Sequence, residues 1–243
     1  MDYFDVKAMN ASTIKAGAKS MLYMNHIKKT PVVATPAMIT GTQRHMALLE
    51  PEKFADMYIY DGSKRVKEYK ELKKEYGAEN IMGCAEHRQC IEAAEVARAH
   101  PIVKEMGLLA DGGIAEKEFY WDEPQGKAKA KIDYLLPDRF VEYKTTASLD
   151  SFHRTAENLH YHLGLAWYWR ACGVPGIFIV QEAKAPFDVA VFEVHEYKLQ
   201  GWFDQCTEIW DKYLDGANDG AYTEPIMFEP VEHDDGLLLD FEA

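Results

Sequence analysis

Three segments between residues 116 and 145 carry a side-chain period of two. Residues 116–121 (EKEFYW), 128–135 (AKAKIDYL) and 139–145 (RFVEYKT) alternate or concentrate aromatic and β-branched residues, as half-buried strands do. Leu136-Pro137-Asp138 separates the last two, and proline with its fixed φ reads there as a turn. Such a meander must cover its apolar face. Helical patterns at 12–27, 42–50, 63–76 and 88–106 precede it, and an aromatic-rich helix at 149–171 follows. Strands are expected at 176–182 and 188–194. The last helix, at 197–214, lines up Leu199, Trp202, Phe203, Cys206, Ile209, Trp210 and Tyr213 on one side. The order predicts a mixed α/β chain with a central mixed β-sheet flanked by helices.

No repeat or low-complexity linker divides the 243 residues, so one domain over 1–227 is expected. Residues 228–243 hold six acidic residues, no Lys or Arg and a small Leu/Phe cluster, which predicts a flexible acidic tail. No apolar run reaches the roughly 18 residues of a membrane span. The first residues lack a basic start followed by an apolar stretch, so a soluble cytoplasmic protein is expected. Cys84, Cys90, Cys172 and Cys206 form no CxxC pair and read as free thiols in a reducing compartment. The net charge of −13 argues against nucleic acid as a partner, unless a local basic channel or bound divalent metal reverses the field.

Residues 131–146, KIDYLLPDRFVEYKTT, carry the chemistry. Glu142 and Lys144, two apart on one strand, project from the same face, and the hairpin can bring Asp133 beside Glu142. Two carboxylates converging with a lysine pack poorly, because unpaired buried charge is costly. They suit Mg²⁺, which prefers one or two carboxylates plus waters and phosphate oxygens. The chemistry fits phosphodiester hydrolysis, in which the metal polarises the phosphate and acidifies a bound water. Lys144 would orient that water or neutralise developing charge. The Tyr143 carbonyl would point to the metal, opposite its side chain.

Around this hairpin the chain resembles the PD-(D/E)xK nuclease superfamily. Within it the resemblance is to the exonuclease VIII (RecE C-terminal) type of phage and prophage exonucleases, relatives of lambda exonuclease. Four segments carry it in order: GTQRHMALLEPEKF at 41–54, AEKEFYWDE at 115–123, the hairpin, and QEAKAPFDVAVFEV at 181–194. It implies a restriction-endonuclease-like core and a cofactor of Mg²⁺ or Mn²⁺. Asp133, Glu142 and Lys144 are implied as the catalytic set. His45 is implied as a metal ligand or phosphate contact, and Glu116, in preference to Glu118, as a further metal ligand. Tyr168 and Thr145 would support the site. Gly164 departs from the pattern, which has Gln four residues before the Tyr; His162 or Gln181 could replace that polar support.

The resemblance also implies a homo-oligomeric ring, trimer or tetramer, around double-stranded DNA ends. Such a ring would turn positive charge inward. A single-strand annealing protein is the implied companion, in a bacterial or phage-infected host cell. Basic residues gather before the first motif, at Lys15, Lys19, Lys28, Lys29 and Arg44. Lys28, Lys29 and Arg44 are the candidates for DNA contact, Arg44 for a terminal phosphate. The expected function is 5′ to 3′ degradation of duplex DNA, leaving 3′ single strands for recombination. The alternatives are a nuclease for single strands, flaps or internal sites, and a non-catalytic module binding DNA ends or protein.

Overall fold

The computed structural model describes residues 3–30 and 33–217 and the backbone of 238–239. Two short helices open the fold, α1 (Ala11–Lys19) and α2 (Met21–Lys29). There follow α3 (Pro36–Leu49), α4 (Pro51–Ala55), β1 (Tyr58–Tyr60), α5 (Lys67–Tyr76), β2 (Ile81–Gly83), α6 (Cys84–Ala99) and α7 (Pro101–Glu105). The meander is β3 (Ile114–Glu123), β4 (Gly126–Leu135) and β5 (Phe140–Thr146). The chain continues through α8 (Phe152–Asn158), α9 (Tyr161–Cys172), β6 (Gly176–Glu182), β7 (Val189–Glu193), α10 (Glu196–Leu214) and β8 (Leu238–Leu239).

The main sheet has the strand order β3-β4-β5-β6-β7-β8. It is mixed: β5 pairs with β6 and β7 with β8 in parallel, and the other neighbours are antiparallel. Alternation in β5 and β6 sends Phe140, Phe178 and Val180 to one face and Val141, Tyr143, Ile177 and Ile179 to the other. On the first face α1, α9 and α10 form the cover, with Trp167 and the α10 stripe in the core. Gly17 permits that layer, since a Cβ there would lie 2.5 Å from Ile209 Cγ2. Helices α3, α6 and α7 cover the second face. The sheet is therefore buried on both sides, as the predicted class requires.

Alternation fails at one place. Ala128, Ala130 and Ile132 of β4, with Phe119 and Trp121 of β3, pack in the first core, but Tyr134 and Ala115 pack against the second. The switch falls between them, at Asp133 and Glu116. Glu116 has a φ of 52°, left-handed backbone that is uncommon outside glycine, and the β3–β4 ladder skips this pair while keeping its register. On the other side β5 stays paired with β4 only at Tyr134–Val141 and Leu135–Phe140. The sheet thus opens around Asp133 on both flanks.

The helices are more broken than the periodicity predicts. The expected helix 12–27 divides at Ser20, an extended residue whose side chain caps the next helix by accepting from the Tyr23 amide. The helix expected at 149–171 divides at His160, which is left-handed at φ 51°. Pro101 starts α7 where 88–106 was expected to run unbroken. The helix expected at 42–50 begins at Pro36, capped by the Thr35 side chain. The parallel pair β1–β2 has no counterpart among the expected strands. Apart from the backbone of Leu238–Leu239, which pairs with β7, the expected acidic tail lies outside the described residues. Among the described residues no helix is long and apolar enough to cross a membrane.

Candidate metal centre and active site

The opening in the sheet gathers the acidic groups. Where β5 leaves β4, the Asp133 carboxylate replaces the lost ladder bond: its Oδ2 accepts from the Tyr143 amide at 2.9 Å. Glu142 and Lys144 flank Tyr143 on the opposite face of β5, and Lys144 Nζ donates to Glu142 Oε1 at 2.5 Å. The same ammonium lies 3.2 Å from the Tyr143 carbonyl and 3.8 Å from Asp133 Oδ2. From the other helical layer His45 on α3 reaches Asp133, Nδ1 to Oδ2, at 3.5 Å, with its ring edge-on to Tyr143. Glu116 comes from the left-handed turn of β3, and its carboxylate is paired with Lys131 Nζ at 2.6 Å. One ligand atom each from His45, Glu116 and Asp133 lies within 4.8 Å of the other two.

Burial governs the protonation of this cluster. It pushes the Asp133 and Glu142 carboxyls up; Lys144 pulls against it, while Glu116 adds to the rise at Asp133 and Asp133 to that at Glu142. Burial disfavours the Lys144 ammonium, but Glu142 and Asp133 overrule it and the pKa rises, so Lys144 stays charged. His45 is pushed down to about 4 by burial and then by Lys144, which leaves a neutral imidazole at pH 7. A neutral imidazole is the form that ligates a metal. Tyr168 is raised by burial and then by the nearby Glu142 and Asp133, which keeps its phenol protonated beside the carboxylates.

The donor set fits a divalent cation. Glu142 Oε2 is buried and has no hydrogen-bond partner among the described residues, a costly state that a cation would relieve. Asp133 and Glu116 add carboxylate oxygens of the kind hard cations prefer, and the His45 nitrogen makes the set acceptable to Mn²⁺ as well as Mg²⁺.

The geometry reassigns some of the expected residues. Arg44 is a correction: it is 3% exposed, donates to the carbonyls of Glu182 and Ala183 at 3.3 and 2.7 Å, and stacks over Phe187. It ties α3 to the end of β6 and is not available to DNA. Thr145 is another: it shares the face of Val141 and Tyr143, away from Glu142 and Lys144, and its side chain makes no hydrogen bond among the described residues. Lys28 and Lys29 are exposed at the end of α2, Lys28 over the Tyr213 ring. Tyr168 packs edge-on to Phe140. Glu118 accepts from the Tyr120 hydroxyl outside the cluster.

Neither candidate replacement for the missing Gln serves the site directly. Gln181 is fully buried, accepting from the Tyr143 hydroxyl at 2.6 Å and donating to the carbonyls of Ala93 and Phe187. His162 is buried against Trp202. Lys131 was missed by the sequence reasoning, although its place two residues before Asp133 on a strand was a usable signal.

No curated protein matches this chain. Among solved structures, a protein from Eubacterium rectale described as a "putative exonuclease" is similar at a TM-score of 0.61 and 17% identity, over 90% of this chain and 84% of that one. That likeness shows a shared fold. A second structure, described as SSO0001, has 13% identity and a TM-score of 0.35, over 82% of this chain and 86% of that one, too distant to argue from. A family model described as a PDDEXK-like domain of unknown function (DUF3799) matches residues 6–226, nearly the whole described fold with Glu116, Asp133, Glu142 and Lys144 inside it. The chain belongs to this PDDEXK-like family.

Proposed function

We propose that the protein is a metal-dependent deoxyribonuclease, an exonuclease that degrades one strand of duplex DNA from its 5′ end and leaves 3′ single strands for recombination. One observation carries the hydrolytic reading: Lys144 contacts both Asp133 and Glu142, His45 and Glu116 bring ligand atoms up to Asp133, and one Glu142 oxygen has no hydrogen-bond partner among the described residues. The exonuclease description of the structural neighbour and the resemblance of the four segments support the substrate class. Duplex ends, 5′ polarity, the ring and the annealing partner rest on the resemblance. The exposed Lys28 and Lys29 are retained as contacts to DNA.

A divalent ion held by Asp133, Glu142, Glu116 and His45, with the Tyr143 carbonyl nearby, would supply Lewis-acid polarisation and an acidified water. The protein's own groups do the remainder. Water oxygen bonds to phosphorus as the P–O ester bond breaks; the water gives up a proton, and the leaving oxygen takes one up from solvent. Lys144, held charged by Glu142 and Asp133, is placed to neutralise the charge that develops on the phosphoryl oxygens. Asp133 is fixed by the Tyr143 amide, so its carboxylate does not have to reorganise.

The test is digestion of end-labelled linear and closed circular duplex with and without Mg²⁺. Linear duplex should release nucleotides only with the metal, and circles should resist. Lys144→Ala should lower kcat by 10²-fold or more, in the range of a lost electrostatic stabiliser, while a cooperative melt above the assay temperature shows that the variant still folds. Full turnover by that variant refutes the mechanism, and rapid cutting of circles refutes the exonuclease assignment.

A further inference from the structure

Lys15 on α1 and Gly164 on α9 face each other across the helical layer above the site. A Cβ built on Gly164 would stand 3.8 Å from both Lys15 Cδ and Nζ, so the lysine stem runs along the notch that the glycine leaves. The Lys15 ammonium lies over the Tyr161 ring at 5.3 Å, and the Lys144 ammonium lies over the same ring at 5.7 Å. The two cations thus share one aromatic ring and repel each other. They are not equally satisfied. Lys144 has Glu142 and Asp133, whereas the Lys15 ammonium makes no ion pair or hydrogen bond among the described residues. A half-buried ammonium with a ring beneath it and no anion in contact is poorly compensated. Glu142 and Asp133 attract it from a distance and Lys144 repels it, so an anion arriving from outside would complete the position.

We propose that Lys15 is a substrate-binding residue of this site, reaching past Gly164 to hold an oxygen of a nucleic-acid backbone phosphate next to the catalytic cluster. The assignment rests on the nuclease reading and adds to it a cation supplied by α1. It also gives Gly164 a purpose: a long side chain there would compete with Lys15 for the same space. The site then grips the backbone from two elements, β5 through Lys144 and α1 through Lys15.

The test is binding of a fluorescent linear duplex by fluorescence anisotropy, with Ca²⁺ replacing Mg²⁺ and KCl varied, for wild type, Lys15→Met and Lys15→Arg. One lost phosphate contact should weaken binding about tenfold. It should also make the plot of log affinity against log salt shallower by about 0.9. Lys15→Arg should restore most of both, because the charge and reach are kept. Lys15→Met with the wild-type salt slope overturns the proposal, even if its affinity falls, because a merely structural loss would not remove a counterion. Thermal melting checks that the variants fold. Mg²⁺-dependent cleavage by wild type is assayed separately. Its absence would overturn the nuclease reading, while the salt slopes would still decide whether Lys15 binds phosphate.

Discussion

Replacing Tyr143 by Phe removes one hydroxyl from the wall of the site and leaves its backbone untouched. That hydroxyl donates to Gln181 Oε1 at 2.6 Å, and the two residues are 1% and 0% exposed. Gln181 cannot turn to find another partner, because its amide nitrogen donates to Ala93 O at 2.9 Å and Phe187 O at 3.0 Å. The variant therefore leaves a buried acceptor unsatisfied, which costs about 1–3 kcal/mol. At roughly 2–4 °C per kcal/mol for a chain of this size, the melting temperature should fall by somewhere between about 2 and 12 °C. The Tyr143 amide still holds Asp133, so hydrolysis below the melt should fall by less than about tenfold, far short of a lost charge stabiliser. Thermal melting of Tyr143→Phe, Gln181→Met and the double variant separates the cause. The double variant should be no less stable than Gln181→Met alone, a coupling of about 1–2 kcal/mol. Additive losses, or a Tyr143→Phe melt indistinguishable from wild type, would refute the reasoning.

The metal and a buried histidine give two more expectations. Mg²⁺ or Mn²⁺ at about 100 times its Kd should stabilise the fold by roughly 2.7 kcal/mol, reversed by chelation and lost in Asp133→Asn, which calorimetry at fixed ionic strength would check. His162 has a pKa pushed down to about 3 by burial, with His160 and Lys15 adding repulsion, and its buried Nδ1 has no partner among the described residues. The unfolded chain takes that proton near pH 6.5, so His162's share of stability is whole above that pH and is lost as pH falls toward 3. The slope is at most about 1.4 kcal/mol per pH unit. His162→Phe should flatten the decline of melting temperature with acid; parallel curves for the two proteins would contradict it.

The layer order was legible because periodicity reports it. The α10 stripe from Leu199 to Trp210 is buried, and β5, β6 and β7 lie where alternation put them. What periodicity could not report is the place where it stops. Asp133 and Glu116 sit at the break in alternation, and the left-handed backbone of Glu116 is a product of tertiary packing that no local propensity encodes. The hairpin argument therefore joined Asp133 to Glu142 by simple register, while the structure joins them by letting β5 peel away and capping the freed Tyr143 amide. Arg44 was misread for a similar reason. Its neighbour His45 faces the site, and adjacent residues on a helix point about 100° apart, so Arg44 goes into the protein to bind two carbonyls at the end of β6. Ser20 and His160 divide helices because a capping side chain and a left-handed residue outweigh an apolar pattern that continues through them.

The charge of the molecule also becomes intelligible at the site. A chain carrying −13 should repel a polyanion, yet around Asp133 the balance is even. The carboxylates of Glu116, Asp133 and Glu142 stand among the ammonium groups of Lys131, Lys144 and Lys15. With His45 neutral, that cluster sums to zero before any cation binds. Neutrality lets the charged groups stay partly buried without metal, and it offers a phosphate little attraction. Two further positive charges would tip the balance, and they would act in a half-desolvated site where each counts for more than it does in water. Glu142 is the pivot of this arrangement. One of its oxygens accepts from Lys144 and the other has no hydrogen-bond donor among the described residues, so a cation can be taken up without breaking the pair that keeps Lys144 charged. Under the proposed function, then, the acidic surface keeps nucleic acid away from the metal-free protein, and the site becomes attractive to phosphate only once it is able to cut.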